Sequence, residues 1–247
     1  MSKNQIYIIV GAGCLLAVCA VAALLAGIFY FTPLFGNQVA SPISDIVSVE
    51  SDTRPNADGN SMGDPDAPIQ MVEYGDYQCP FCERFHTDTE PLLIEYFIKT
   101  GDVHFTYRSA GNWVSSNTAG NTESQDAALA AYCAADQNQF WGMHDALFAN
   151  NQDVENQGAF SSSRLLAIAE SISLDTTNFQ DCYDSGKYAD QVQQDLKDAR
   201  ASDIQGTPFF VLTYQVNGET KTETIGGAQP IDVFQQTIEA ILMVADK

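Results

Sequence analysis

Cys79-Pro80-Phe81-Cys82 places two thiols three positions apart. That spacing suits either a redox-active disulfide or half of a zinc site. Zinc would need two more soft ligands, and neither Cys133 nor Cys182 has a Cys or His at ligand spacing. The redox reading therefore takes the site, and it requires neither an organic cofactor nor a metal. A strand-like run, residues 69–74, ends just before the pair, and a helix-like run, residues 83–99, begins just after it. Cys79 then sits at a helix N-terminus, where unpaired backbone N–H groups and the helix dipole favour thiolate over thiol. In such a pair the first sulfur is the accessible one, so Cys79 is the expected nucleophile. Cys82, facing inward, would resolve a mixed disulfide on Cys79.

The elements that must hold this pair follow from periodicity. Gly63-Asp64-Pro65-Asp66-Ala67-Pro68 is a turn launching the first strand. The following helix carries Phe85, Leu92, Leu93, Tyr96 and Phe97 at helical spacing, with Pro91 expected to kink it. Val103, Phe105 and Tyr107 alternate along a second strand, completing a right-handed βαβ unit. Residues 121–203 are helical in pattern: Thr122-Glu123-Ser124-Gln125 reads as a capping box opening an Ala-rich helix. Gly186 closes a later helix, and Tyr188, Val192, Leu196 and Ala199 stripe the last one. Strand character returns at Pro208-Phe209-Phe210-Val211-Leu212. Asn217-Gly218 turns a hairpin, and Ile231, Phe234, Ile238, Ile241 and Leu242 mark a final helix.

The chain is read as a signal anchor over residues 1–36, a linker over 37–63 and a first α/β part over 64–120. A helical insertion over 121–203 and a second α/β part over 204–247 follow. Within the linker, residues 43–49 could add a short edge strand. Residues 6–31 carry no charge; as a helix they would span roughly 39 Å, more than the ~30 Å hydrocarbon core of a bilayer. A cleaved signal peptide is the alternative, but no A-x-A pair is clear near Gly36 to Ser41. Lys3 and the α-amino group precede the segment, which favours a cytoplasmic N-terminus with the folded part outside. Cys14 and Cys19 fall within it and read as membrane-buried thiols rather than lipidation sites.

The remaining four cysteines would face an oxidising compartment, which permits two disulfides. If Cys133 and Cys182 both face the core of the helical block, they can bridge two helices; otherwise they are buried free thiols. With 32 acidic and 11 basic residues the net charge is −21. Such a surface repels phosphate backbones and argues against nucleic acid as a partner. His104 and His144 read as structural, Arg84 and His86 as the polar face of their helix, and Trp113 and Trp141 as core or groove lining.

Three separated motifs occur in one order. They are Ala67-Pro68 with Glu73-Tyr74-Gly75-Asp76-Tyr77-Gln78-Cys79-Pro80-Phe81-Cys82, then Cys133-Ala134-Ala135-Asp136-Gln137 with Phe140-Trp141, His144-Asp145 and Leu147-Phe148, and last Gly206-Thr207-Pro208-Phe209-Phe210. Together they resemble the DsbA-like thiol–disulfide oxidoreductases, and most of all the membrane-anchored bacterial type. The resemblance implies a thioredoxin-like α/β fold, a central mixed sheet with flanking helices, interrupted by an all-helical insertion. It also implies a cis bond before Pro208, with the Thr207 backbone pairing to an extended substrate peptide. Pro80 and Phe81 would flank that groove. Glu73 matches a buried acid that exchanges protons with the inward thiol, although an ordinary strand glutamate facing solvent is the alternative. Strongly oxidising members carry histidine where this chain has Phe81, so Cys79 should be less acidic here than in them. The implied reaction is disulfide exchange with cysteines of unfolded or exported proteins, coupled to a membrane redox partner. Oxidation is the favoured direction. A reductase or isomerase of the same fold, or a non-catalytic peptide-binding module, are the alternatives.

Overall fold

Strand β2 (Ile69–Gly75) occupies the centre of a five-stranded sheet and sets the geometry of everything near the two thiols. The computed structural model describes residues 43–50, 53–110, 113–115, 119–152 and 154–246, all belonging to one unit spanning 40–247. The expected membrane segment, with Cys14 and Cys19, lies outside the described residues. Among those described, no helix is long and apolar enough to cross a membrane.

The sheet order is β1-β3-β2-β4-β5. Strand β1 (Ser61–Met62) forms one edge, antiparallel to β3 (Val103–Ser109). Strand β3 runs parallel to β2, whereas β4 (Phe209–Val216) is antiparallel to β2 and closes a hairpin with β5 (Glu219–Gly226). The hairpin turns at Asn217 and Gly218 with φ of 53° and 77°, the left-handed pair that a tight two-residue turn requires. Ile69 and Met71 on β2, Val103, Phe105 and Tyr107 on β3, and Phe210 and Leu212 on β4 all face the main core. The period of two puts Glu73 on that same face, paired between Tyr107 and Phe210.

Helix α1 (Pro80–Asp88) buries Cys82 and Phe85. The Phe85 ring meets Phe210 at 4.6 Å and Phe234 of α8 (Ile231–Leu242) at 5.6 Å. Burying such a ring is worth about 1.5–3 kcal/mol. The kink expected at Pro91 is a full break: α1 ends at Asp88, and after Thr89 α2 (Glu90–Leu93) restarts with the proline in its first turn. A π-helical turn, Ile94–Ile98, follows. The restart turns Glu90 inward, where it is 1% exposed.

The insertion consists of α3 (Glu123–Ala135), α4 (Phe140–Ala149), α5 (Ser162–Ser171), α6 (Thr176–Ser185) and α7 (Ala189–Ala201). Helix α3 packs against each of the other four. Its buried alanines, Ala127, Ala128, Ala130, Ala131 and Ala134, permit that close approach on several sides. Helix α7 covers the opposite face of the sheet, where Ala199 packs with Val72, Tyr74, Phe209 and Val211.

Two local expectations are corrected. The Thr122 hydroxyl donates to Asp126 rather than capping α3. Asn121 and Ser115 instead accept the N–H groups of Glu123 and Ser124, so no capping box forms. Residues 43–49 do not form an edge strand. After a 3-10 turn, Ile43–Asp45, the Val47 backbone pairs at 2.8 Å in both directions with the Asn150 side-chain amide, which takes the place of a neighbouring strand. The edge belongs to Ser61–Met62, inside the stretch read as a tether.

Candidate active site at the N-terminus of helix α1

Between β2 and α1 the loop is fastened from within. The buried Asp76 carboxylate accepts from the N–H groups of Gln78 at 3.0 Å and Val114 at 2.9 Å. The Gln78 amide nitrogen donates to Ser115, Ser124 and Asn156, tying the loop to the insertion. Cys79 is the N-cap residue of α1, with extended φ and ψ of −78° and 120° and no side-chain cap bond. Pro80 at the first helical position has no N–H to satisfy and a preset φ.

The two sulfurs have opposite surroundings. Cys79 is lowered to about 6, chiefly by a hydrogen bond with the Cys82 thiol. Burial opposes that shift, while the Thr207 side chain and the backbone N–H groups of Cys82 and Phe81 reinforce it. The Cys79 thiol, when protonated, reaches the Thr207 carbonyl oxygen at 3.3 Å. Cys82 is fully buried, and burial pushes its thiol well above the ordinary range, with Cys79 and Glu73 adding to the effect. One sulfur is therefore mostly thiolate at neutral pH and the other is held as thiol.

Around the thiols stand the other residues singled out from the sequence. The Thr207–Pro208 bond is cis. Glu73 is buried, 1% exposed, and its carboxyl is raised well above its usual range by burial and then by the negative charges of Glu90 and Cys79. It does not face solvent. A Cβ on Gly75 would stand 2.6 Å from the Tyr107 ring, 3.0 Å from its hydroxyl and 3.1 Å from Glu73 Oε1, so only glycine fits there. Phe81 is 53% exposed, with the Arg84 guanidinium 5.1 Å from its ring centre. Cys133 and Cys182 form a disulfide joining α3 to α6.

His86 departs from the expected polar face. It turns inward and its Nδ1 lies 3.0 Å from Glu90 Oε2. Arg54, expected in a tether, pairs with Glu90 at 3.2 Å and Asp145 at 2.7 Å. His144 holds the Tyr77 hydroxyl at 3.1 Å. Burial alone would raise Glu90, but the imidazoles of His144 and His86 beside it hold it well below the usual carboxylate range. The i,i+4 spacing of His86 and Glu90 was a usable signal for this cluster. Nothing local marks Arg54 as its partner.

A mixed sheet of this order, broken by a helical insertion and presenting a dithiol at a helix N-terminus against a cis-proline loop, defines the thioredoxin-like class. A family model described as thioredoxin matches residues 56–239, and the chain belongs to that family. Disulfide bond formation protein D of Bacillus subtilis is 31% identical over 158 residues, which cover 63% of this chain and 68% of that protein. The crystal structure of oxidised BdbD from Bacillus subtilis superposes with a TM-score of 0.62 at 27% identity, covering 81% of this chain and 99% of that one. The Na(+)/H(+) antiporter NhaA 1 of Salinispora arenicola is 32% identical over 167 residues, and the match spans 67% of this chain but only 23% of the antiporter's length.

Proposed function

We propose that the chain is an extracytoplasmic thiol–disulfide oxidoreductase working through Cys79 and Cys82 on cysteines of unfolded or exported proteins. The observation carrying this reading is the asymmetry of the pair: Cys79 lowered to about 6 beside a Cys82 thiol pushed far the other way. In the oxidising direction a substrate thiolate attacks Cys79 Sγ of the Cys79–Cys82 disulfide. The bond between the two enzyme sulfurs breaks, and Cys82 leaves with the electron pair. Its high proton affinity demands a donor, and Glu73, whose carboxyl burial raises well above its usual range, is the acid proposed for that role. The substrate's second thiolate then attacks the substrate sulfur of the mixed disulfide and expels Cys79, a good leaving group because its thiolate is stable. Substrate loses two electrons and the enzyme gains them. Pro80, Phe81, Thr207 and Pro208 would form the docking groove, with the Thr207 backbone pairing to an extended peptide.

Residues 6–31 support a signal anchor holding the enzyme on the outer face of the cell membrane, near a membrane partner that reoxidises the pair; tethering raises the effective concentration of the two. The domain boundaries read from the sequence are kept as part of this proposal, with residues 43–50 and 53–63 of the linker held against the folded part. Cys133–Cys182 serves as structure.

The reductase reading keeps a specific support. A Cys79 value of about 6 lies nearer to the ≈ 7 of thioredoxin than to the ≈ 3.5 of DsbA. A reduction potential near −120 mV assigns an oxidase and one near −270 mV a reductase. Cys82→Ala tests the exchange chemistry itself: the variant should accumulate substrate proteins disulfide-linked to Cys79. A variant that traps none points to a binding module.

A further inference from the structure

We propose that His86, Glu90 and His144 form a binding site for a divalent transition-metal ion, with Zn2+ as the natural fit, joining the α1–α2 segment to helix α4. The three side chains present their donor atoms within 4.8 Å of one another. Glu90 Oε2 lies 3.0 Å from His86 Nδ1 and 3.6 Å from His144 Nε2. Tetrahedral zinc with bonds of ~2.0–2.1 Å sets its ligand atoms about 3.3 Å apart, so these two edges need to change by only a few tenths of an ångström.

The second observation is an orphan. His144 is 1% exposed, yet nothing among the described residues lies within hydrogen-bond distance of its Nε2, Glu90 Oε2 standing 3.6 Å away. The ring cannot turn away, because the Tyr77 hydroxyl holds Nδ1 at 3.1 Å and Tyr107, Trp141 and Phe148 pack around it. A buried nitrogen left without a hydrogen bond is unfavourable, and this one points at the carboxylate oxygen it shares with His86. A metal ion at that point would satisfy it.

The surroundings are those of a metal centre. Arg54 binds the other oxygen, Glu90 Oε1, at 3.2 Å, which fixes the carboxylate and leaves Oε2 available. Asp145 Oδ1 stands 3.7 Å from His86 Nε2, a carboxylate on the far side of the ring from Glu90. Arg54 brings a positive charge near a dication, but Asp145 pairs with it at 2.7 Å. Of the three ligands His86 lines the adjoining cleft of about 700 Å³, together with Glu50, Glu83 and Glu95, so the site is approached from the His86 side. Two imidazoles, a carboxylate and an open position suit Zn2+ over Ca2+ or Mg2+, which prefer oxygen alone.

Cys79 and Cys82, when reduced, could also take up zinc, so the test uses the full-length chain with that pair oxidised. Titration with Co2+ should give one saturable site with the intense visible bands of tetrahedral cobalt and no sulfur-to-metal charge transfer. Zn2+ should displace it and raise the unfolding temperature. His86→Ala should abolish the saturable site, and Tyr77→Phe should weaken it ~10–100-fold. X-ray absorption on the unmodified zinc-loaded chain should show nitrogen and oxygen neighbours without sulfur, which keeps the test sound if a variant fails to fold. Absence of saturable binding by the oxidised chain, binding unaltered in His86→Ala, or binding that appears only on reduction would each overturn the site. Because the thiols are silent in this test, its failure leaves the exchange reading untouched, and the reverse also holds.

Discussion

The two pairs of cysteines, one in the thioredoxin-like part and one in the helical insertion, are almost equally buried: Cys79 is 6% exposed and Cys182 is 7%. Burial therefore does not decide which sulfurs exchange. Cys133 and Cys182 lie toward the C-terminal ends of α3 and α6, 49 positions apart and away from the helix N-termini that favour a thiolate. Cys79 caps α1 with the N–H groups of Phe81 and Cys82 turned toward it, and it stands against the Thr207 carbonyl. The lesson is that the Cys82 thiol, the Thr207 side chain and the N–H groups at the start of α1, rather than access to water, make Cys79 an ion, whereas the two sulfurs of the insertion are bonded to each other.

Removing the sulfurs separates the two regions most sharply. Cys79→Ser should abolish turnover of a reduced test protein while leaving the unfolding midpoint of the oxidised insertion in place. The double variant Cys133→Ala/Cys182→Ala should do the reverse. Closing a loop of 49 residues is worth about 4 kcal/mol in the chain-entropy relation, so denaturant unfolding should shift by that order while exchange at 25 °C stays within a few-fold. A double variant that lost exchange but kept stability would break the comparison. Glu73→Gln should slow release of Cys82 by about 10²-fold, the usual worth of a positioned proton donor, without changing how fast Cys79 is alkylated. The smallest effect is expected from Phe81→His: a cation at this half-exposed position should lower Cys79 by up to about one pKa unit, less at high salt.

Much of this contrast was legible in the sequence, because the elements concerned are local. The Cys79-Pro80-Phe81-Cys82 junction, the alternation along β2 and β3, the Asn217-Gly218 turn and the Gly186 stop are each set by neighbours in the chain. Glu73 was within reach as well: it continues the phase of Ile69 and Met71, and only its charge argued for solvent. What the sequence concealed lies in side chains that meet across long separations. Arg54 finds Glu90 and Asp145 because the chain ahead of β1 folds back onto α1 and α4, and no periodicity announces that return. His86 turns inward because its i,i+4 partner Glu90 heads the helix that Pro91 restarts. The capping box failed for a similar reason: Ser115, outside the helix, accepts the Ser124 N–H, and the Thr122 hydroxyl goes to Asp126 instead.

The central claim is that Cys79 is ionised at neutral pH, and the rate of its alkylation as a function of pH in the reduced chain tests this directly. A thiol lowered to about 6 should give a rate that rises to half its plateau near that pH and is flat above about pH 7.5. The same shift should stabilise the reduced chain above the unfolded thiol value of ~8.5, with that advantage lost as pH falls through the folded value. A profile with its midpoint near 8.5, indistinguishable from that of a free cysteine, would contradict the account.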